Sequence, residues 1–165
     1  MELYFFRHGI AADKEDPAYP DDRDRPLTEE GVRKTREAAN GLKRLDIAFD
    51  RILTSPWVRA AQTAEILASA LKLTRIENLP ELAGDRSADE LIAALGDHRE
   101  SRLLLVGHEP LLSQTITRLL CPKETFSVDL KKGGAAAIEI DSLPPKRAGT
   151  FLWLLTAKQL RFIGK

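Results

Sequence analysis

Cysteine is all but missing from this chain. Cys121 stands alone among 165 residues, so neither an intramolecular disulfide nor an all-cysteine zinc site can form. It follows Leu119 and Leu120, a setting that predicts a small buried hydrophobe and not a nucleophile. Excess charge is missing too. Twenty-five basic residues balance twenty-five acidic ones, leaving no overall positive field to drive counterion release, so nucleic-acid binding is not expected. Nothing approaches the run of about 20 apolar residues that a membrane span requires. Ahead of Arg7 stand an acidic Glu2 and the short apolar run Leu3-Tyr4-Phe5-Phe6, too brief for a signal-peptide core and without its basic lead. The expectations are therefore no membrane partner and a cytoplasmic location. Internal repeats and low-complexity segments are absent as well.

What remains is ordinary for a globular protein: 43% hydrophobic and 30% charged residues, in a length that predicts one domain over residues 1–165. A chain of this size buries about 70% of its unfolded surface, enough for a core of its own. The first apolar run, bounded by Gly9, reads as a buried strand that stops at Arg7-His8-Gly9. Glycine there allows a sharp turn or the close approach of another group. Taken alone, this is equally a strand end whose arginine pairs a surface carboxylate.

Residues 10–26 mix prolines with dense charge and predict a loop. Thr28 then caps a helix with Glu29 and Glu30 in its first turn and Val32, Ala38, Ala39, Leu42 and Leu45 on one face. A second strand, residues 49–54, runs into Ser55-Pro56, which predicts a helix with Ser55 as N-cap, Pro56 in its first position and Arg59 in its first turn. An arginine opposes the macrodipole there unless it shares an anion with the helix start. Residues 74–79 make a weaker strand, and Ser87 caps a further helix. Residues 102–106 are continuously apolar, as in a strand covered on both faces, and end in Gly107-His108-Glu109-Pro110, where Pro110 opens another helix. Two more strands follow at 135–140 and 151–155, an antiparallel pair at one side of the sheet. The order β-α-β-α-β-α-β-α-β-β predicts a three-layer α/β/α domain around a mostly parallel central sheet.

Three strand-to-helix junctions carry one kind of cargo: Arg7-His8-Gly9, Ser55-Pro56 with Arg59, and Gly107-His108. In a parallel sheet they share one edge, where ligands bind. Two arginines, two histidines and a helix start compose a site for a phosphate dianion. A neutral imidazole attacks phosphorus without a metal, and a second histidine can donate to a nonbridging oxygen. His98 lies in a polar stretch and is expected at the surface.

Arg7-His8-Gly9, Leu27-Thr28-x-x-Gly31, Thr54-Ser55-Pro56-x-x-Arg59-Ala60-x-Gln62-Thr63-Ala64 and Val106-Gly107-His108 together resemble the histidine phosphatase (RHG) superfamily, whose fold is phosphoglycerate-mutase-like. The match is ordered and spans most of the chain. Small size, Arg25-Pro26-Leu27-Thr28 and Leu79-Pro80-Glu81-Leu82 are most similar to its short phosphohistidine phosphatase (SixA-type) branch. The resemblance implies that His8 is phosphorylated, that Arg7, Arg59 and His108 hold the phosphoryl group, and that water attacks the phosphoenzyme without any metal or other cofactor. It implies a phosphohistidine-bearing protein as substrate, the alternatives being small phosphoesters or phosphosugars, or a phosphate-binding adaptor that does not turn over.

Larger relatives place a general acid after the third strand, and Glu81 is the nearest positional match. They also carry a capping insertion there, whereas here only residues 84–87 separate this segment from the next helix. Asp13, Asp22, Asp24 and Glu109 are rival carboxylates, each expected as solvated surface charge. Arg25 either assists the phosphate or anchors its loop.

Overall fold

A computed structural model describes residues 1–121 and 126–165 of the chain. Its strands are β1 (Glu2–Arg7), β2 (Arg51–Thr54), β3 (Ile76–Asn78), β4 (Arg102–Gly107), β5 (Ala135–Glu139) and β6 (Thr150–Leu155). Its helices are α1 (Glu29–Arg44), α2 (Val58–Leu71), α3 (Ala88–Leu95), α4 (Leu111–Leu120) and α5 (Ala157–Ile163). The strands form one sheet in the order β3-β2-β4-β1-β5-β6. β1, β2, β3 and β4 run parallel, and β5 is antiparallel to both of its neighbours.

Alternation along β1 shows why the sheet needs helices on both sides. Leu3 and Phe5 join a cluster with Leu103, Leu105, α3 and α4. Tyr4 and Phe6 join the opposite cluster with Leu104, Val106, α1, α2 and Leu160 of α5. All four β1 side chains are buried, and a fully buried Phe or Leu contributes about 1.5–3 kcal/mol relative to exposure. α1 starts as the sequence predicts, with Thr28 Oγ1 accepting from Gly31 N at 3.0 Å. The helix after β4 begins one residue later than predicted, with Pro110 as its cap. β3 is shorter than predicted, and all three of its residues are exposed. α5 was not predicted at all; Thr156 and Gln159 close its first turn as a capping box. Cys121 is half-exposed, not buried.

The loop leaving β1 is seated on the start of α1. Thr28 N donates to Ile10 O at 3.0 Å, and Ala12 N to Pro26 O at 2.9 Å. Gly31 permits this approach, because a Cβ there would lie 1.9 Å from Ile10 O. Gly9 is equally tight, with Thr35 Oγ1 2.3 Å from the place of its missing Cβ. Gln62 and Thr63 of α2 complete the seat. Leu27 N donates to Gln62 Oε1 at 2.7 Å and Gly9 N to Thr63 Oγ1 at 3.2 Å. Among the described residues no helix is long and apolar enough to cross a membrane.

Candidate active site

The carboxyl ends of β1, β2 and β4 lie side by side, with Arg7 opposite Gly107 and Thr54 opposite Val106. His8, Arg59 and His108 therefore meet, and all three are buried, at 6%, 4% and 2% exposure. The two imidazole rings lie 5.0 Å apart. With Arg7 and Arg25 they line a cavity of about 580 Å³.

His8 Nδ1 lies 2.7 Å from Gly9 O. A carbonyl only accepts, so Nδ1 carries the proton and Nε2 keeps its lone pair. That lone pair accepts from Arg59 Nε at 3.3 Å. Burial, with Arg59 and Arg7 nearby, pushes the His8 pKa down to about 3, so the ring is neutral at physiological pH. His108 is pushed down to about 2 by burial and by His8 and Arg59. Its Nε2 is 2.9 Å from Ser55 Oγ. Its Nδ1 is buried with no partner among the described residues, as is Arg7 Nε. Two buried polar atoms with nothing to bind are costly unless the site has a polar guest.

Ser55 was predicted as the N-cap of α2. The cap position belongs to Trp57, and Ser55 Oγ instead accepts from Trp57 N at 3.2 Å while bonding His108. The Trp57 ring centroid lies 4.5 Å from that of His108, and the Arg59 guanidinium carbon lies 4.8 Å over the Trp57 ring. Gly84 makes room for the indole, since a Cβ there would meet it at 2.9 Å. Sequence reasoning missed the roles of Ser55 and Trp57; their place between β2 and Arg59 was the available signal.

Asp22 overturns its expectation as solvated charge. It follows the chain out to a 3-10 turn, Asp22–Asp24, and its carboxylate bridges Arg59 Nη2 at 2.8 Å and Arg25 Nη2 at 2.6 Å. Arg59 Nη1 also donates to Asp22 O. The two arginines hold the Asp22 carboxyl below the usual range against the opposing effect of burial. Arg25 anchors the loop by donating to Ala12 O at 2.6 Å, and it also lines the cavity.

Asp13 and Glu109 also line the cavity, as does Lys132, while Asp24 and Glu81 are not among its lining residues. Glu81 is half-buried on a 3-10 turn, Pro80–Leu82, three residues before the cavity wall at Gly84. Burial raises the Glu109 carboxyl above the usual range, and it accepts from Ser113 N at 3.3 Å. Burial, then Arg7, Arg25 and Arg59, pulls the Lys132 amine down. Such a concentration of positive charge suits a dianion. His98 lies outside this cavity, half-buried and 3.5 Å from Glu100. No group of three or more His, Cys, Asp or Glu among the described residues is arranged to hold a metal ion.

A model of the histidine phosphatase superfamily (branch 1) matches residues 3–85. The chain belongs to the histidine phosphatase superfamily. Phosphohistidine phosphatase SixA of Escherichia coli is 34% identical over 165 residues, covering 98% of this chain and 97% of the relative. An uncharacterized protein of Picosynechococcus is 42% identical over 137 residues, covering 81% of this chain and 82% of its own. The solved structure of the protein histidine phosphatase SixA complexed with tungstate superposes with a TM-score of 0.83 at 31% identity, covering 97% of this chain and 99% of that one. The alpha-ribazole phosphatase of Shigella flexneri, at 23% identity and a TM-score of 0.67, over 95% of this chain and 97% of its own, shares the fold. Membership of the superfamily together with full-length homology to SixA makes this chain a phosphatase.

Proposed function

We propose that the chain removes phosphoryl groups from phosphohistidine in proteins, through a phosphoenzyme formed on His8. The observation that carries this reading is the tautomer of His8, whose Gly9 contact leaves Nε2 as the unprotonated nitrogen beside Arg59. In the first step the Nε2 lone pair attacks phosphorus, a P–N bond forms to His8, and the P–N bond to the substrate imidazole breaks. The substrate ring, protonated at its other nitrogen, keeps the electron pair and leaves as neutral imidazole. The ring of phospho-His8 keeps its Nδ1 proton and carries the positive charge, which the Gly9 carbonyl stabilises. Arg7, Arg59, Arg25 and the free Nδ1 of His108 bind the phosphoryl oxygens. In the second step water attacks phosphorus, the P–Nε2 bond breaks, and phosphate leaves with neutral His8 restored.

An imidazole leaves a protonated phosphoramidate with little acid assistance, which agrees with the want of a carboxylate at the cavity from the Glu81 position. The short 84–87 connection has no room for the capping insertion of larger relatives, which suits a protein substrate. A second reading, hydrolysis of small phosphoesters, is favoured by one observation. Glu109 sits beside His108 with its carboxyl held above the usual range, as a donor to an alkoxide must be.

Wild type and His8→Ala are compared on a phosphorylated histidine-containing phosphotransfer protein and on p-nitrophenyl phosphate, in EDTA. Loss of both activities in His8→Ala with preference for the protein substrate is the expected result. Equal activity of the two proteins removes the nucleophile assignment. Turnover of the ester alone selects the second reading. No phosphate release from a broad substrate panel leaves a binding domain.

A further inference from the structure

A second cavity, of about 390 Å³, lies on the other side of Arg7. Lys34 and Thr35 of α1, Lys131 and Lys132 ahead of β5, and Arg161 of α5 form its polar wall. Ile10 and Ala157 form an apolar one, and no carboxylate lines it. The acids that pair with Lys34, Lys131 and Arg161 are Glu30, Asp129 and Glu37, all outside the wall. Lys132 has no ion pair or hydrogen bond among the described residues. Thr35 Oγ1, a buried polar side-chain atom without a hydrogen-bond partner among the described residues, belongs to a residue of this cavity. Thr35 is 1% exposed, and its hydroxyl lies against Gly9, another lining residue.

A hollow rimmed by cations, with a buried hydroxyl unsatisfied and a small apolar wall, has the composition of a ligand site. We propose that it is a second anion subsite, taking a small organic oxyanion, a phosphate or carboxylate group on a short apolar body. The oxyanion meets Lys34, Lys132, Arg161 and the Thr35 hydroxyl, and the body rests on Ile10 and Ala157. Arg7 and Lys132 line both cavities. An anion seated here therefore lowers the positive potential on the catalytic side and weakens phosphate binding there, and the effect is reciprocal.

Phenylphosphonate and benzoate are the probes, titrated separately against isotope-labelled protein, with and without orthovanadate in the catalytic cavity. Amide resonances of Ile10, Gly133 and Ala157 are expected to shift saturably in the millimolar range, and to do so more weakly with orthovanadate present. The double variant Lys34→Gln/Arg161→Gln is expected to bind about tenfold more weakly, as two lost cations at a partly exposed site imply. The stronger of the two probes identifies the headgroup. Shifts confined to Asp13, Gly84 and Glu109, no saturable shift with either probe, or equal affinity in the double variant each overturn the subsite. Binding is followed by resonances and not by turnover, so the result stands apart from the fate of the proposed reaction.

Discussion

The two ends of the same parallel strands carry charge in opposite ways. At the amino ends, Arg102 pairs with Glu2 at 3.2 Å and Arg51 with Glu100 at 2.9 Å, while Asp50 accepts from Arg102 N at 2.8 Å. These are partly exposed pairs of opposite charge, although Arg51 Nε has no hydrogen-bond partner among the described residues. At the carboxyl ends, Arg59 and His108 are buried almost completely, two histidines are held neutral, and polar atoms of Arg7 and His108 go without partners. Charge that closes on itself serves the fold; charge buried with unmet bonding capacity waits for something else. The difference separates a seam from a site, although both are rich in arginine.

Substitutions at the two ends test that contrast. The largest effect is expected from His8→Ala, with at least about a thousandfold loss of kcat/KM and an unchanged circular dichroism spectrum. If turnover survives, the buried end holds the phosphate but not the nucleophile. Next comes Arg59→Ala, with a loss of about 10²–10³-fold for removing a donor to the transferring group. Its KM should rise more than that of Arg102→Ala, which is expected to stay within twofold of wild type on the order of a surface substitution.

Acid titration gives a smaller, graded effect. His8 and His108 have folded-state values of about 3 and about 2, against about 6.5 unfolded. Below that unfolded value the unfolded chain binds protons that the native chain refuses. Stability is therefore expected to be full above about pH 6.5 and to fall progressively toward pH 3, measured by urea midpoints across that window. His108→Asn should flatten the curve. The smallest effect belongs to the amino ends, where Arg102→Gln is expected to cost at most about 1 kcal/mol and to lose even that in high salt.

Much of this was readable in the chain itself. β1 and β4 announced themselves as apolar runs because both faces of each are covered, and the abrupt strand endings at Arg7-His8, Ser55 and Gly107-His108 marked the site edge. The spaced motif residues also have plain causes, Gly31 beneath Ile10 O and Gln62 beneath Leu27 N. What escaped depended on contacts between distant segments. Asp22 sits in a charge-dense loop and looks solvated until the fold brings Arg59, from a different helix, against it. Ser55 obeyed the composition rule for a cap, yet His108 from β4 claims its hydroxyl. Trp57 drew no reading of its own because nothing local reveals that Gly84 and His108 flank its ring. α5 was short enough to hide, although Thr156 and Gln159 carried its capping pattern.

The strand order has a consequence for how the chain becomes active. β1 touches β4 and β5 only, and β4 stands between β1 and β2. Thus the first 85 residues, where the family match lies, contain His8 and Arg59 but not the strand that joins their two halves. A nascent chain carries His8 from the outset with no platform to hold it. Only when residues 102–107 emerge and insert does the sheet become continuous, and the same event delivers His108. Assembly of the core and arming of the phosphatase are then one step, dominated by contacts far apart in sequence.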